Sequence, residues 1–146
     1  MSNPDHYARL ARMYAAAPIN AIYRPAMRVR EREAEIEMAV TEQFFHSGGA
    51  LHGSVYFKML DDAAFFAASS CEPEFFVLTT AFTTYLTRPV SSGSLRSVGK
   101  VVSSSRTQFV AESVLYDGSG SEVGRGSGIF VRSRMKLREA MGYGTE

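Results

Sequence analysis

The sequence predicts an α+β domain in which one long helix is wrapped by a curved antiparallel sheet. Three observations lead to this fold class. An alanine-rich apolar run without proline covers about residues 53–70, which is typical of an enclosed helix. One strand with alternating glutamates precedes this run, and four segments rich in threonine, valine and aromatic residues follow it. A helix that is apolar on most sides and a large sheet are both buried when the sheet curls around the helix.

Chain length and composition agree with one domain, residues 1–146. Hydrophobic residues make up 45% of the 146 positions and charged residues 21%, as in average soluble globular proteins. The formal net charge of +1 is far from the concentrated positive charge that nonspecific nucleic-acid binding requires. The most apolar stretch, Val55–Ala68, is shorter than a membrane span and contains Lys58, Asp61 and Asp62. We therefore expect neither a nucleic-acid partner nor a membrane partner.

Cysteine usage and the N-terminal composition indicate a cytoplasmic protein. The single cysteine, Cys71, excludes an intramolecular disulfide and a cysteine-rich metal site. The first fifteen residues include charged side chains and no uninterrupted apolar core, so we expect no secretory signal.

The N-terminal third of the chain predicts a short helix and one strand. Apolar residues recur at steps of three and four, and Pro4 suits a first helical turn, so an amphipathic helix is expected over about residues 4–17. Pro18 ends this helix, and Asn20 to Pro25 have the composition of a linker. From Glu33 to Val40, glutamates alternate with apolar residues, which is the period of a strand with one wet face.

A glycine-rich loop and the long buried helix come next. Phe44 to Leu51 has the composition of a loop and contains His46 and Gly48-Gly49. The buried helix is predicted from about Gly53 to Ser70, ahead of Pro73.

The remaining chain predicts a four-stranded meander followed by a frayed tail. Turn residues separate the strands, and the clearest hairpin turn is Asp117-Gly118-Ser119-Gly120. The tail covers about residues 136–146. The predicted strands are Phe76–Thr87, Ser94–Ser103, Gln108–Tyr116 and Val123–Arg132.

Two features of the predicted helix carry possible chemistry. Gly53 opens the helix, and an amide N–H at the positive end of a helix can stabilise a developing oxyanion, although every helix has such an end. Asp61 and Asp62 lie inside an apolar helix, where a partly desolvated carboxylate is a candidate general base. The other interpretation is that one or both lie where the helix reaches the surface. Both cannot serve one face, because helix neighbours are about 100° apart.

These residues carry a family resemblance. Gly49-Ala50-Leu51-His52-Gly53, with Leu60-Asp61 following, resembles the motif of hotdog-fold acyl-CoA thioesterases of the phenylacetyl-CoA thioesterase (PaaI-like) group. The predicted element order matches the hotdog fold over nearly the whole chain. The resemblance implies hydrolysis of a fatty or aromatic acyl-CoA to free acid and CoA without a metal or organic cofactor.

The resemblance also implies roles for individual residues. Asp61 corresponds to the catalytic carboxylate, which activates water or attacks the thioester directly. The amide of Gly53 corresponds to the group that polarises the thioester carbonyl, and His52 to the histidine that helps to orient the thioester. Thr79 corresponds to a Ser or Thr near the attacking water. The sequence departs from the family motif at His46, which replaces an asparagine.

Ser54, Arg88 and Arg106 are the candidates for substrate binding. Ser54 replaces the second glycine of the family's His-Gly-Gly motif. Arginines at strand ends can pair with the phosphates of coenzyme A, although most exposed arginines are merely solvated. Arg106 is favoured because Ser105-Arg106-Thr107 resembles a turn in many relatives. We expect no metal site, since His46 and His52 do not have a standard zinc spacing.

The distance between the two central groups predicts a homodimer with shared active sites. Gly53 and Asp61 are eight residues apart, about 12 Å along one helix. A carbonyl-polarising donor and a carboxylate must both lie close to one reacting carbon. Two antiparallel copies would bring Asp61 of one subunit to the partner's Gly53, which also looks like the dimers of the family, and further pairing into a tetramer is compatible with this.

Two other functions stay open. The His46 departure is compatible with a catalytically silent acyl-CoA-binding or regulatory module. A hotdog dehydratase or hydratase is the second alternative, although its usual proline-glycine signature is absent.

Overall fold

A six-stranded antiparallel sheet wraps around one central helix in this computed structural model, which describes residues 2–144. The α-helices are α1 Pro4–Ala16, α2 Asn20–Tyr23 and α3 Gly53–Ser69. Short 3-10 turns cover Glu42–Phe44 and Leu137–Glu139. The strands are β1 Ala26–Arg30, β2 Glu33–Ala39, β3 Phe75–Leu86, β4 Ser94–Ser104, β5 Phe109–Asp117 and β6 Glu122–Lys136.

Close contacts with the sheet fix the position of α3. Ser97 Oγ on β4 donates to Met59 O at 2.8 Å, and Ser113 Oγ on β5 donates to Leu60 O at 2.7 Å. Gly99 lies so close beneath the helix that a Cβ there would be 2.2 Å from Ala63 O. The polar and small residues on the inner face therefore hold α3 in one register. Among residues 2–144, no helix is long and apolar enough to cross a membrane.

The pairing order of the strands is β1-β2-β4-β5-β6-β3, so the predicted four-stranded meander is wrong for β3. Only β4, β5 and β6 follow one another as a meander. β3 crosses to the far edge of the sheet and pairs with β6, where Phe82 lies opposite Gly128. Glycines on β6 make room for this strand, because a Cβ at Gly126 or Gly128 would clash with the Phe82 ring at 2.6 or 2.4 Å.

Between α1 and β2, the structure contains two short elements that the sequence does not predict. The expected linker at residues 20–25 contains α2, and the next residue, Arg24, caps this helix in a left-handed conformation with φ 52°. β1 then pairs with β2, with Ala26 opposite Glu37. Elements of four and five residues are too short to display a period, so tertiary contacts rather than local pattern define them.

The prediction of a frayed C-terminal tail is wrong for residues 137–144. Leu137 is 2% exposed and belongs to the main hydrophobic core, together with Ala140 and Tyr143. β6 itself extends to Lys136. Residues 145 and 146 of the predicted tail lie outside the described residues.

A buried histidine joins this C-terminal segment to both α1 and α3. His6 is 2% exposed, and its Nε2 donates to Ser69 O at 2.8 Å. Since a carbonyl oxygen only accepts, Nδ1 is the unprotonated nitrogen and accepts from the Tyr143 hydroxyl at 2.8 Å. Burial lowers the pKa of His6 below its usual value near 6.5.

We expect this histidine to make folding stability dependent on pH. The unfolded chain binds a proton at His6 more readily than the folded chain, so the free energy of unfolding should fall as pH drops through about 6.5. Urea unfolding at pH 7.5 and 5.5 measures this loss. The loss should be smaller in His6→Gln, and an equal pH dependence in both proteins would contradict the role assigned to His6.

Candidate active site

Among the cavities along α3, one contains Gly53 and another contains Asp61, and these two cavities share no lining residue within residues 2–144. The first, of about 370 Å³, lies at the helix N-terminus and is called the Gly53 cavity. Its lining residues are His46, Leu51, Gly53, Tyr56, Leu86, Thr87, Arg88 and Pro89. The second, of about 330 Å³, lies halfway along the helix and is called the Asp61 cavity. Its lining residues are Met13, Tyr14, Ala17, Ile19, Asn20, Lys58, Asp61, Asp62, Phe65, Phe66, Phe76, Leu78 and Thr79.

Gly53 is the first residue of α3, as the sequence predicts. Its amide N–H is one of the donors that have no partner within a helix, and it lies at the positive end of the helix dipole. A Cβ at this position would come within 3.0 Å of Leu86 Cδ2. Glycine therefore keeps the backbone accessible at this end of the helix, where an oxygen atom with developing negative charge would be stabilised.

His52 and Ser54 form the N-terminal cap of α3. His52 Nδ1 accepts from the Ser54 amide at 3.1 Å and lies 2.9 Å from Ser54 Oγ. Both side chains are exposed, and neither lines the Gly53 cavity. The structure thus gives them a capping role at the start of α3, whereas contact with a thioester or substrate stays a prediction.

His46 lines the Gly53 cavity, and its own loop holds the imidazole. The Gly48 amide donates to His46 Nδ1 at 2.9 Å, and the His46 amide donates to Ala50 O at 2.9 Å. The intervening Gly49 has a φ of 85°, a conformation that favours glycine. Because Nδ1 accepts a hydrogen bond, Nε2 carries the proton and is the available donor of this side chain.

Asp61 is half-buried among apolar side chains at the middle of α3. Its Oδ1 accepts from the Thr79 hydroxyl on β3 at 2.9 Å, so the structure brings these two predicted residues together. Burial raises the pKa of Asp61 to about 6, although the Thr79 hydrogen bond opposes this shift. A carboxyl group with this pKa can accept a proton near neutral pH, which suits general base catalysis.

The neighbouring Asp62 has different partners, which separates the two aspartates. Asp62 Oδ2 accepts from the Tyr14 hydroxyl at 2.7 Å and from Lys58 Nζ at 2.6 Å. Both aspartates are half-buried and both line the Asp61 cavity, so neither lies on open surface. Asp62 is engaged by an ion pair, whereas Asp61 faces the cavity with a neutral hydroxyl as its partner.

Comparison with known proteins identifies the family of this fold and site. The family model of the thioesterase superfamily matches residues 48–123, a segment that includes Gly53, Asp61 and Thr79. The chain belongs to the thioesterase superfamily. It is therefore a thioester hydrolase, as the resemblance of its sequence motif implied. No curated protein matches the chain in sequence.

Several solved structures share the fold. The PaaI protein of the Escherichia coli phenylacetic acid degradation operon has a TM-score of 0.80 and 18% identity, covering 91% of this chain and 96% of its own. A thioesterase family protein from Silicibacter pomeroyi has a TM-score of 0.77 and 26% identity, covering 86% of this chain and 96% of its own. A Haemophilus influenzae thioesterase has a TM-score of 0.74 and 17% identity, covering 82% of this chain and 85% of its own. The predicted hotdog fold is thus confirmed.

The two arginines predicted to bind the substrate of this thioesterase lie in different parts of the structure. Arg88 is exposed and lines the Gly53 cavity, and its carbonyl accepts from the Tyr56 hydroxyl at 2.6 Å. Arg106 lies in the β4–β5 turn and lines neither cavity. Its carbonyl accepts from Arg132 Nη1 at 2.9 Å. Only Arg88 is therefore placed beside Gly53 within one subunit.

Sequence reasoning missed the polar residues that surround the thioesterase's Asp61 cavity. Lys58 precedes Asp62 by four residues, a spacing that itself signals a helical ion pair. Tyr14 and Asn20 reach the cavity from the N-terminal helices, and no local sequence signal predicts that contact. Within residues 2–144, no group of three or more His, Cys, Asp or Glu side chains is arranged to hold a metal ion.

Proposed function

We propose that this thioesterase hydrolyses a fatty or aromatic acyl-CoA to the free acid and CoA. The observation that carries the proposal is the half-buried Asp61, which receives a hydrogen bond from Thr79 and lines a largely apolar cavity of about 330 Å³. Such a cavity suits an acyl chain or aryl ring, and Phe65, Phe66 and Phe76 contribute to its walls. The carboxylate then lies where the acyl group meets the thioester.

Asp61 and Gly53 perform complementary parts of the proposed reaction. Asp61 takes a proton from water as the water oxygen attacks the thioester carbon, and the Gly53 amide stabilises the resulting oxyanion. The carbon–sulfur bond then breaks, and the proton on Asp61 passes to the CoA thiolate. In the alternative route, Asp61 attacks the carbon itself, CoA leaves, and water hydrolyses the mixed anhydride. His52 orients the thioester, and Thr79 holds the carboxylate beside the water.

The separation of the two cavities supports an active site shared between two subunits. Gly53 and Asp61 line different cavities, although both groups must act on one carbon atom. A second copy of the chain would supply the missing half. Each dimer would then have two equivalent sites, each with Asp61 from one subunit and the partner's Gly53.

The free edge of the sheet at β3 supports the same dimer. β3 has twelve residues and no proline, and Leu78, Tyr85 and Leu86 on it are 48%, 60% and 49% exposed. A long apolar edge strand favours pairing with another strand. Antiparallel pairing of two β3 strands centred near Phe82 would place Leu78, which lines the Asp61 cavity, beside the partner's Leu86, which lines the Gly53 cavity.

Arg88, Arg106 and Ser54 complete the substrate-binding part of the proposal. Arg88 lies at the Gly53 cavity, where its guanidinium can pair with a phosphate of CoA. Arg106 would contribute at the β4–β5 turn, and Ser54 at the start of α3. The proposed setting is the cytoplasm, where a reducing environment would keep the free thiol of Cys71 reduced. A homotetramer built from two such dimers is compatible with these sites.

A thiol-release assay over a panel of fatty and aromatic acyl-CoAs tests the proposed function. We expect turnover on part of the panel without added metal, with free CoA and the acid appearing in equal amounts. Tight binding of acyl-CoA without thiol release would instead indicate a silent binding module. Water addition to an enoyl-CoA without thiol release would indicate a hydratase.

His46 should be replaceable by asparagine but not by alanine. Asparagine can still donate a hydrogen bond into the Gly53 cavity, whereas alanine removes the side-chain donor. We expect His46→Asn to keep substantial kcat/KM and His46→Ala to lose about tenfold or more. Steady-state thiol release from the three proteins measures this, and equal activity in all three would remove His46 from the site.

A further inference from the structure

The ammonium group of Lys58, which lines the Asp61 cavity, contacts one carboxylate and two aromatic rings. The Lys58 side chain is 11% exposed, and its Nζ lies 2.6 Å from Asp62 Oδ2. The same nitrogen lies over the rings of Tyr14 and Tyr23, at 5.2 Å from each ring centroid. A cation that is paired with a carboxylate and flanked by two aromatic faces is held in one place.

The two tyrosines come from the N-terminal segment and are themselves fixed. Tyr14 on α1 packs edge-on against Phe66, with ring centroids 4.9 Å apart. Tyr23 on α2 stacks on Phe44 at 4.6 Å, with 10° between the ring planes. Both tyrosines precede residues 48–123, the segment matched by the family model. The aromatic contacts of Lys58 therefore come from outside the matched segment, whereas its ion-pair partner Asp62 lies within it.

We propose that Lys58 is a positioning residue for the reaction, because its clamped ammonium group offsets the negative charge of Asp62 and keeps Asp61 in its carboxylate form. This inference rests on the proposed function, in which the Asp61 carboxylate accepts the proton. Lys58 acts through the electric field within the cavity and needs no contact with the substrate.

The groups around Asp61 act on its ionisation in opposite directions. Burial is the largest influence on Asp61 and opposes its ionisation, as does the negative charge of Asp62 on α3, whereas the positive charge of Lys58 favours ionisation. Tyr14 is the titratable group facing the cavity from α1, and burial raises its pKa above its ordinary value, so its hydroxyl stays neutral. From β3, Thr79 contributes a neutral hydroxyl that favours the carboxylate. Without Lys58, two adjacent carboxylates would share an apolar site.

The test compares the pH dependence of hydrolysis in wild type and Lys58→Met, a variant of similar length without charge. Burial raises the pKa of Asp61 to about 6, so wild-type kcat/KM should fall below about pH 6. In Lys58→Met the acid limb should move to higher pH, so activity at pH 6 should fall several-fold more than activity at pH 8.5. A carbon-13 NMR titration of the Asp61 carboxyl, assigned with Asp61→Asn, should show the same displacement.

A matched double variant separates electrostatics from structure. Lys58→Met/Asp62→Asn removes both charges and should return the Asp61 titration midpoint toward that of wild type. The single variant Lys58→Arg keeps the positive charge, so its midpoint should stay close to that of wild type. An unchanged Asp61 midpoint in folded Lys58→Met, or an equal loss of activity at every pH, would overturn the proposal. The NMR titration needs no turnover. A displaced midpoint in an enzyme that tolerates Asp61→Asn would therefore reject the proposed role of Asp61 while supporting the effect of Lys58.

Discussion

Asp61→Asn should lower kcat for thioester hydrolysis by about 100-fold or more without changing the fold. Asparagine has the same shape as aspartate, and its carbonyl oxygen can still accept the hydrogen bond from Thr79, which is 2.9 Å long in the structure. The amide can neither take a proton from water nor attack a thioester. Thiol release at saturating acyl-CoA measures the loss, and thermal unfolding checks that the variant is folded.

Asp62→Asn is the matched control, since it makes the same chemical change one position along α3. Asp62 receives hydrogen bonds from Tyr14 and Lys58, so its replacement should mainly affect stability and reduce turnover much less. The assignment would be wrong by one residue if Asp62→Asn abolished turnover while Asp61→Asn remained close to wild type.

The sequence predicted the elements of this fold better than their pairing. The sequence predicted α3 because a long apolar run without proline is typical of an enclosed helix. It predicted β4, β5 and β6 because clear turn residues separate them. The position of β3 at the edge of the sheet could not be predicted from the sequence. It depends on the fit of Phe82 over Gly126 and Gly128, which lie more than forty residues further along the chain. Local periodicity contains no information about such long-range contacts.

The candidate site shows the same division between local and distant information. Gly53 and Asp61 were found because a short motif carries both, and in the structure Gly53 begins α3 and Asp61 is a half-buried residue that lines a cavity. Tyr14 and Tyr23 were not found, since they reach the site from helices that the motif does not include. Ser97, a residue of the α3 packing rather than of the candidate site, lies between these two cases.

Its sequence position gives a partial signal, because a polar residue at an inward position of β4 indicates the close approach of another backbone group, here Met59 O.

Mixing two inactive variants should restore activity if the active site is shared between subunits. Asp61→Ala lacks the carboxylate, and Gly53→Pro lacks the amide N–H of the helix start. Proline suits the first helical position, and His52 before it already has the extended conformation that proline requires, with φ −63° and ψ 145°. Both variants should therefore fold while losing different halves of the site. Each alone should be nearly inactive in the thiol-release assay.

A heterodimer of these variants contains one site with both lesions and one site with neither. Random pairing of equal amounts makes half of the dimers heterodimers, so refolding the variants together should restore about a quarter of wild-type activity. Gly53→Ala is the control for crowding, because it keeps the N–H while adding a Cβ near Leu86 Cδ2. It should retain more activity than Gly53→Pro. Heterodimers demonstrated by mass spectrometry but without recovered activity would reject the shared site, as would full activity in an isolated monomer.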